Sequence, residues 1–335
     1  MNIPIVDKNI IVGNLRQDIR EIVIADNYFI VTDDNVFALY PALFEGAKVF
    51  VLSDSEFSKN LNSVQTIIEC MLNQGCNRNT TVVSVGGGVV SDIAGFVAAI
   101  FMRGVEWVCV PTTLLAQVDA GLGGKTAVNL KNYKNIVGAF WLPKSVLCDI
   151  NMLATLNEQQ WLSGVGEVVK TSLLNASLWG YLNDNLQSLM LKDWKIVKEI
   201  INQCIAIKSQ IVALDLNEAG LRRHLNVGHT LGHAIESWDN FRLTHGEYVL
   251  LGIKYETELF AGNINQDYLD EIRIILKKLI VSTVAFDVRE VVENATKDKK
   301  NKGNNIVFIV PTDKGKVDYF DKEPKEVVKL LQQVL

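Results

Sequence analysis

The chain is poor in histidine, cysteine and long apolar runs, and each scarcity excludes a class of protein. No apolar stretch approaches the ~18–20 residues of a membrane-spanning helix. The longest, such as 97–102 and 107–110, are separated by Arg103, Gly104 and Glu106. The five cysteines, Cys70, Cys76, Cys109, Cys148 and Cys204, are odd in number and widely spaced. A reduced compartment with packing cysteines fits that pattern better than a disulfide framework or a CxxC metal site. A net charge of −5 gives no electrostatic footprint for nucleic acid. The opening MNIPIVDKNI lacks the basic start and apolar core of a secretory signal, so a cytoplasmic protein is expected. No internal repeat or low-complexity segment is present.

What is there begins with length. At 335 residues and 48% hydrophobic content, the chain can bury two cores. Short β-branched runs at 28–32, 48–52, 81–85, 107–111 and 145–149 alternate with helical periodicity at 63–74 and 92–101. This is the signature of an α/β domain with an open, largely parallel sheet, taken as 1–152. Beyond it, helical patterns at 158–174, 194–214, 228–237, 248–260 and 269–279 predict a mostly α-helical domain over 153–335. One strand-like run returns at 306–310, after a polar stretch at 296–305 that reads as a loop. The lysines of that stretch, Lys297, Lys299, Lys300 and Lys302, read as a solvated loop or as a reach toward an anionic substrate.

All four histidines fall between His224 and His245. His229 and His233 are spaced i, i+4, so a helix places both imidazoles on one face, and His245 follows after a turn-like WDNFR segment. Two or three imidazoles can therefore converge on a divalent metal. The same spacing equally serves an ordinary hydrogen-bonded pair, and spacing alone does not choose.

Two glycine-rich segments suggest anions. In TVVSVGGGVVSD the glycines follow a buried strand and precede a helix, where backbone amides can approach a pyrophosphate. The spacing departs from G-x-G-x-x-G, and a plain strand-to-helix turn has the same composition. Asp33, ending the strand IVTDD, and Glu56, in DSEFSK, are ribose-ligand candidates. The second segment, PTTLLAQVDAGLGGKTAVNLKNYKN, carries Asp119, Lys125, Lys131, Lys134 and Asn135. It is not a P-loop, because Asp119 stands where the first glycine belongs, yet GGKT offers amides and an ammonium to an anion.

Taken together, GGGVVSD, FMRG, PTTLLAQVDAGLGGKTAVN, GEVVK, LRRHLNVGHTLGHAIE and HGE resemble the 3-dehydroquinate synthase family, in order and over nearly the whole chain. The resemblance implies an N-terminal NAD-binding α/β domain, a C-terminal helical metal domain, and a homodimer. It implies conversion of 3-deoxy-D-arabino-heptulosonate 7-phosphate to 3-dehydroquinate and phosphate, with NAD and one divalent metal, zinc or cobalt, as cofactors. The substrate is a small phosphorylated and carboxylated sugar; no nucleic acid and no membrane is involved.

Carried over motif by motif, the metal ligands are Glu167, His229 and His245, and His233 becomes a catalytic imidazole beside Lys125, Glu167 and Asn135. The substrate contacts are Arg103, Asp119, Lys125, Asn135, Lys170, Lys208, Arg222, Asn226, His233 and a lysine of the 298–300 segment, taken as Lys299. NAD contacts are Asp33, Glu56, Lys59, Gly87, Gly88, Val89, Asp92, Thr112, Thr113, Asp119, Lys134, Thr155 and Leu156. The chain departs from the family pattern at Ser55, at DLNE (215–218) and at LNEQQ (156–160). The neighbouring readings are another sugar-phosphate cyclase, a metal-dependent polyol or glycerol-phosphate dehydrogenase, and a non-catalytic paralogue.

Overall fold

The computed structural model describes residues 10–12, 27–53, 56–131, 133–298, 301 and 303–335. Two compact units result, one of Met1–Leu156 with Lys208–Asn217, the other of Asn157–Ile207 with Glu218–Leu335.

In the first unit the β-branched runs form the strands β1 (Ile10–Val12), β2 (Tyr28–Asp33), β3 (Val49–Leu52), β4 (Thr81–Gly86), β5 (Trp107–Pro111) and β8 (Ser145–Cys148). They pair in the order β1-β8-β5-β4-β2-β3, and every pairing is parallel. Parallel strands are buried on both faces, which is why they read as continuous apolar runs rather than alternating ones. One face rests on Ile30, Val83, Val85, Val108, Val110 and Leu147. The helices α1 (Asp34–Leu39), α2 (Leu61–Asn73) and α3 (Gly88–Ile100) connect strands in this unit.

The chain runs one way across the sheet from β2 to β3 and the other way from β4 through β5 to β8. The reversal lies between β2 and β4, where an open α/β sheet leaves a crevice at the strand ends. Asp33 and Gly86 end those two strands.

From the GGKT lysine onward, the second glycine-rich segment continues into an antiparallel hairpin, β6 (Lys125–Leu130) with β7 (Tyr133–Phe140), which the sequence pattern does not announce. Its half-exposed alternation and its lysines and glycine hide the strand signal. The left-handed Lys131 (φ 53°) lies in its turn.

The second unit is built from α4 (Glu158–Ser172), α5 (Ala176–Met190), α6 (Trp194–Leu214, whose last turns count with the first unit), α7 (His229–Trp238), α8 (His245–Leu259), α9 (Gln266–Leu279) and α10 (Val288–Thr296). A hairpin of β9 (Ile306–Asp313) and β10 (Lys316–Lys322) and a closing helix α11 (Pro324–Val334) complete it. Among the described residues no helix is long and apolar enough to cross a membrane.

Three helices of this unit meet backbone to backbone. A Cβ on Gly246 of α8 would stand 1.9 Å from the Ser163 carbonyl oxygen of α4, and one on Gly166 would stand 2.3 Å from the Gly246 oxygen. On the other side, a Cβ on Gly252 of α8 would lie 1.8 Å from the Gly228 oxygen, and one on Gly232 of α7 would lie 2.8 Å from the Tyr248 oxygen. Only glycine permits approaches this close, and they draw together the helices that carry Glu167, His229, His233 and His245.

Candidate functional site

In the second unit, Glu167 lies in α4 and is fully buried. Its Oε1 is 3.2 Å from His245 Nε2 and 3.7 Å from His229 Nε2, while its Oε2 takes Lys170 Nζ at 2.5 Å from one turn later. The His229 and His245 rings are 5.4 Å apart between centroids, and His233 lies 4.9 Å from His229 and 5.5 Å from His245. Ligand atoms of the three imidazoles fall within 4.8 Å of one another. The site thus offers two ligand sets, three imidazoles or Glu167 with two. His229 is buried, His245 half-buried and His233 exposed.

Each imidazole is placed by identifiable local chemistry. His229 Nδ1 is 3.0 Å from the Val227 carbonyl oxygen. A carbonyl only accepts, so Nδ1 carries the proton and Nε2 presents its lone pair toward Glu167. Helix α7 begins at His229 after Gly228, which is left-handed (φ 74°) and has no side chain to cap the helix. The buried Glu256 of α8 does so instead, accepting Gly228 N at 3.2 Å and Leu231 N at 2.8 Å. Helix α8 starts three residues earlier than its apolar periodicity predicts, so His245 is its first residue. The backbone N–H and hydroxyl of Thr244 both donate to Glu247 Oε2, at 2.9 and 2.7 Å, which fixes the start of the helix and commits the glutamate of the HGE motif to capping.

The protonation of the two imidazoles beside Glu167 diverges. Burial holds His229 well below its ordinary value, with Glu167 opposing. For His245 burial pulls the same way, but hydrogen bonding and charge from Glu167 and Glu236 prevail and carry it up to about 10.

Two further cations predicted from sequence, Lys170 and Arg222, are 1% exposed in this unit. Asn226, half-buried, donates to Glu218 Oε1 at 2.7 Å, and Glu218 itself sits in the left-handed region at φ 59°. His224 lies tilted against the Tyr319 ring, with centroids 5.4 Å apart, and takes no part in the cluster.

The first unit gathers a second set. Helix α3 begins at Gly88, four residues before its apolar periodicity, so Gly88 and Val89 open its first turn with Gly87 as an N-cap that has no side chain. A Cβ on Gly87 would stand 3.1 Å from Thr113 Cγ2, and one on Gly88 would stand 3.4 Å from Ala120 Cβ. First-turn amides at such a bare helix start suit an anion. Thr112 N donates to Gly86 O at 3.0 Å, tying the end of β5 to the same turn, and Thr113 Oγ1 accepts Ala116 N at 3.1 Å.

Asp33 lies at the end of β2, and its Oδ1 accepts Val36 N at 2.8 Å, capping α1. Lys59 and Asp92 form a largely buried ion pair; burial raises the Asp92 carboxyl in spite of the ammonium beside it. Lys208 Nζ bonds both Asp119 Oδ1, at 2.7 Å, and Asp119 O, at 2.6 Å. Thr155 shares a hydrogen bond with Tyr40 at 3.0 Å, and Leu156 N closes a turn on Leu153 O.

Asn129, which the sequence reading does not single out, links three expected contacts. Its side chain donates to Glu56 Oε1 at 2.8 Å and accepts Asn135 N at 2.9 Å, and its backbone N–H bonds Lys59 O at 2.8 Å. Only the folded hairpin reveals this. Lys125 and Asn135 lie exposed on its facing strands and Lys134 is half-buried. Arg103 is exposed at φ 67°, next to Met102 at φ 49°. Lys299 and Ser55 lie outside the described residues.

Residues 49–163 match the family described as 3-dehydroquinate synthase N-terminal, and residues 164–301 match 3-dehydroquinate synthase C-terminal. A 3-dehydroquinate synthase of Alkaliphilus metalliredigens is 41% identical over 323 residues, covering 93% of this chain and 91% of that protein. Another, from Caldanaerobacter subterraneus subsp. tengcongensis, is 38% identical over 335 residues, covering 96% and 93%. Among solved structures, a 2-deoxy-scyllo-inosose synthase complexed with carbaglucose-6-phosphate, NAD+ and Co2+ superposes with a TM-score of 0.83 at 27% identity, over 92% of this chain and 91% of that one. A 2-epi-5-epi-valiolone synthase from Streptomyces hygroscopicus with NAD+ and Zn2+ bound reaches 0.88 at 23% identity, over 100% and 98%, a likeness of fold.

Proposed function

The chain belongs to the 3-dehydroquinate synthase family, and we propose that it converts 3-deoxy-D-arabino-heptulosonate 7-phosphate to 3-dehydroquinate and phosphate, acting as a phosphate-eliminating lyase dependent on NAD and one divalent metal. The observation that carries this reading is the buried Glu167 carboxylate with two imidazole Nε2 atoms turned toward one of its oxygens. One carboxylate and two neutral imidazoles suit Zn2+ or Co2+ and leave coordination positions for substrate oxygens. Glu167, His229 and His245 would hold the metal.

When bound, NAD+ supplies a hydride acceptor that is restored within each turnover, and the metal supplies polarisation of substrate hydroxyls. The remaining work falls to side chains. His233, exposed beside the two ligand imidazoles, holds and moves a proton at a substrate hydroxyl. Lys125, Asn135, Arg103, Asp119, Lys208, Lys170, Arg222 and Asn226 bind and orient the substrate, the cations answering its carboxylate and phosphate. Lys299 belongs to the same proposal.

Gly87, Gly88 and Val89 cradle the pyrophosphate; Asp33 and Glu56 serve the ribose; Lys59, Asp92, Thr112, Thr113, Asp119, Lys134, Thr155 and Leu156 complete the NAD site. The two functional domains are taken as 1–152 and 153–335. The enzyme works as a homodimer in the cytoplasm.

Purified protein given the substrate, NAD+ and Co2+ is expected to release one phosphate for each dehydroquinate formed. No phosphate release would sink the proposal. Turnover of a sugar phosphate lacking the carboxylate, in preference to this substrate, would move the chain to another cyclase.

A further inference from the structure

We infer that Glu236 is a positioning residue for the metal centre, holding His245 in the tautomer and orientation that present Nε2 to the ion; this rests on the metal reading above. Glu236 lies in α7, seven residues after His229, and is 4% exposed. A carboxylate this deep needs a cationic or donor partner. Its Oε1 stands 3.7 Å from His245 Nδ1, on the side of the ring opposite the Nε2 that faces Glu167 at 3.2 Å. His245 is thus bracketed by two buried carboxylates, one at each nitrogen.

The two ligand imidazoles are handled alike by different means. His229 Nδ1 is held by the Val227 carbonyl, leaving Nε2 directed at Glu167. Among the described residues no carbonyl oxygen holds His245 Nδ1, and the Glu236 carboxylate faces that nitrogen instead, at 3.7 Å. Carboxylate support at the distal nitrogen fixes ring orientation and raises ligand basicity. Because Glu236 and His229 share one helix, the same rigid element positions one ligand directly and the other through its carboxylate.

The test is Co2+ titration of the full-length apoprotein, followed by the visible absorption of the bound ion, for wild type, Glu236→Gln, Glu236→Leu and the control Asp239→Asn. Asp239 is the other buried acid at that end of α7 and bonds Tyr248 and Arg242, away from the imidazoles. Glu236→Leu is expected to weaken Co2+ binding ~10–100-fold and shift the spectrum. Glu236→Gln, which keeps an acceptor oxygen, should fall between it and wild type. Asp239→Asn should lower the melting temperature with Co2+ affinity close to wild type.

If both Glu236 variants bind Co2+ within twofold of wild type, or lose affinity no more than Asp239→Asn does, the inference is overturned while the metal reading stands. If wild type binds no Co2+, both fall. Imidazole 15N resonances of the Zn2+-loaded wild type provide a check that needs no variant. His245 is expected to be protonated at Nδ1 and metallated at Nε2, and the reverse assignment would overturn the inference.

Discussion

At the scale of single residues, the site separates histidines that look equivalent in sequence. The i, i+4 spacing of His229 and His233 correctly brings their rings together, 4.9 Å apart, but says nothing of which nitrogen faces what. Burial and partners divide them. His229 is enclosed and tautomer-locked, whereas His233 is exposed beside it. Replacing His233 with Asn should leave metal content at wild-type level and lower kcat by about 10²–10⁴-fold. Replacing His245 with Ala should lower both. Metal analysis alongside steady-state kinetics checks this, and equal metal loss in the two variants would restore the histidine pair as the ligands. Glu167 illustrates what spacing does not show. It lies more than sixty positions before His229, and only the GEVVK resemblance drew attention to it. Glu236 and Glu256 were not legible either, because a glutamate on an amphipathic helix reads as a solvated face until the fold buries it.

At the scale of elements, the parallel strands were legible because burial on both faces leaves unbroken β-branched runs. The β6–β7 hairpin was not, since its alternation is half-exposed and dense in lysine, and the segments of α5, α10, α11 and β10 went unassigned. Two helix starts lay ahead of the apolar periodicity: at Gly88, where an uncapped glycine turn opens the helix, and at His245, where Thr244 and Glu247 set the start. The close packing of α4, α7 and α8 makes a sharp prediction. Gly246→Ala puts a Cβ against the Ser163 carbonyl and should destabilise the protein by about 1–3 kcal/mol or more, read from denaturant unfolding. Gly262→Ala, where nothing lies within 4 Å, should be close to neutral. Glu256→Gln removes a charged acceptor from the bare start of α7 and should cost about 1.5–3 kcal/mol in the same assay.

Acid sensitivity also belongs to the elements. Glu271 of α9 accepts Trp179 Nε1 and Lys314 Nζ, each at 2.7 Å. Burial works to raise its carboxyl, but those two hydrogen bonds and the lysine charge hold it below the usual range. A carboxyl lowered on folding stabilises the native state above its unfolded value, and that contribution is lost as pH falls through the folded value. Glu271→Gln should therefore flatten the acid limb of the melting temperature against pH. An unchanged limb would show that the Trp179–Glu271–Lys314 link carries no pH-dependent stability.

At the scale of the whole molecule, each unit has its own core and its own candidate site, a bare helix start at the strand reversal in one and a buried carboxylate–imidazole cluster in the other. Ligands that bind only the folded chain stabilise it by mass action, about 2.7 kcal/mol at a hundredfold excess over Kd. Calorimetry should show NAD+ and Co2+ each raising the unfolding midpoint, and a chelator reversing the metal's contribution. The family resemblance was legible across nearly the entire chain because its motifs are long and ordered. How those motifs become a site depended on glycine contacts and caps that only the fold displays.

The central claim is a cyclase that returns its hydride in every turnover. The most direct measurement is product formation with NAD+ held far below the substrate concentration. The account predicts many dehydroquinate and phosphate molecules per NAD+ with no accumulation of NADH. Formation of NADH in proportion to substrate consumed, halting when NAD+ is exhausted, would contradict it.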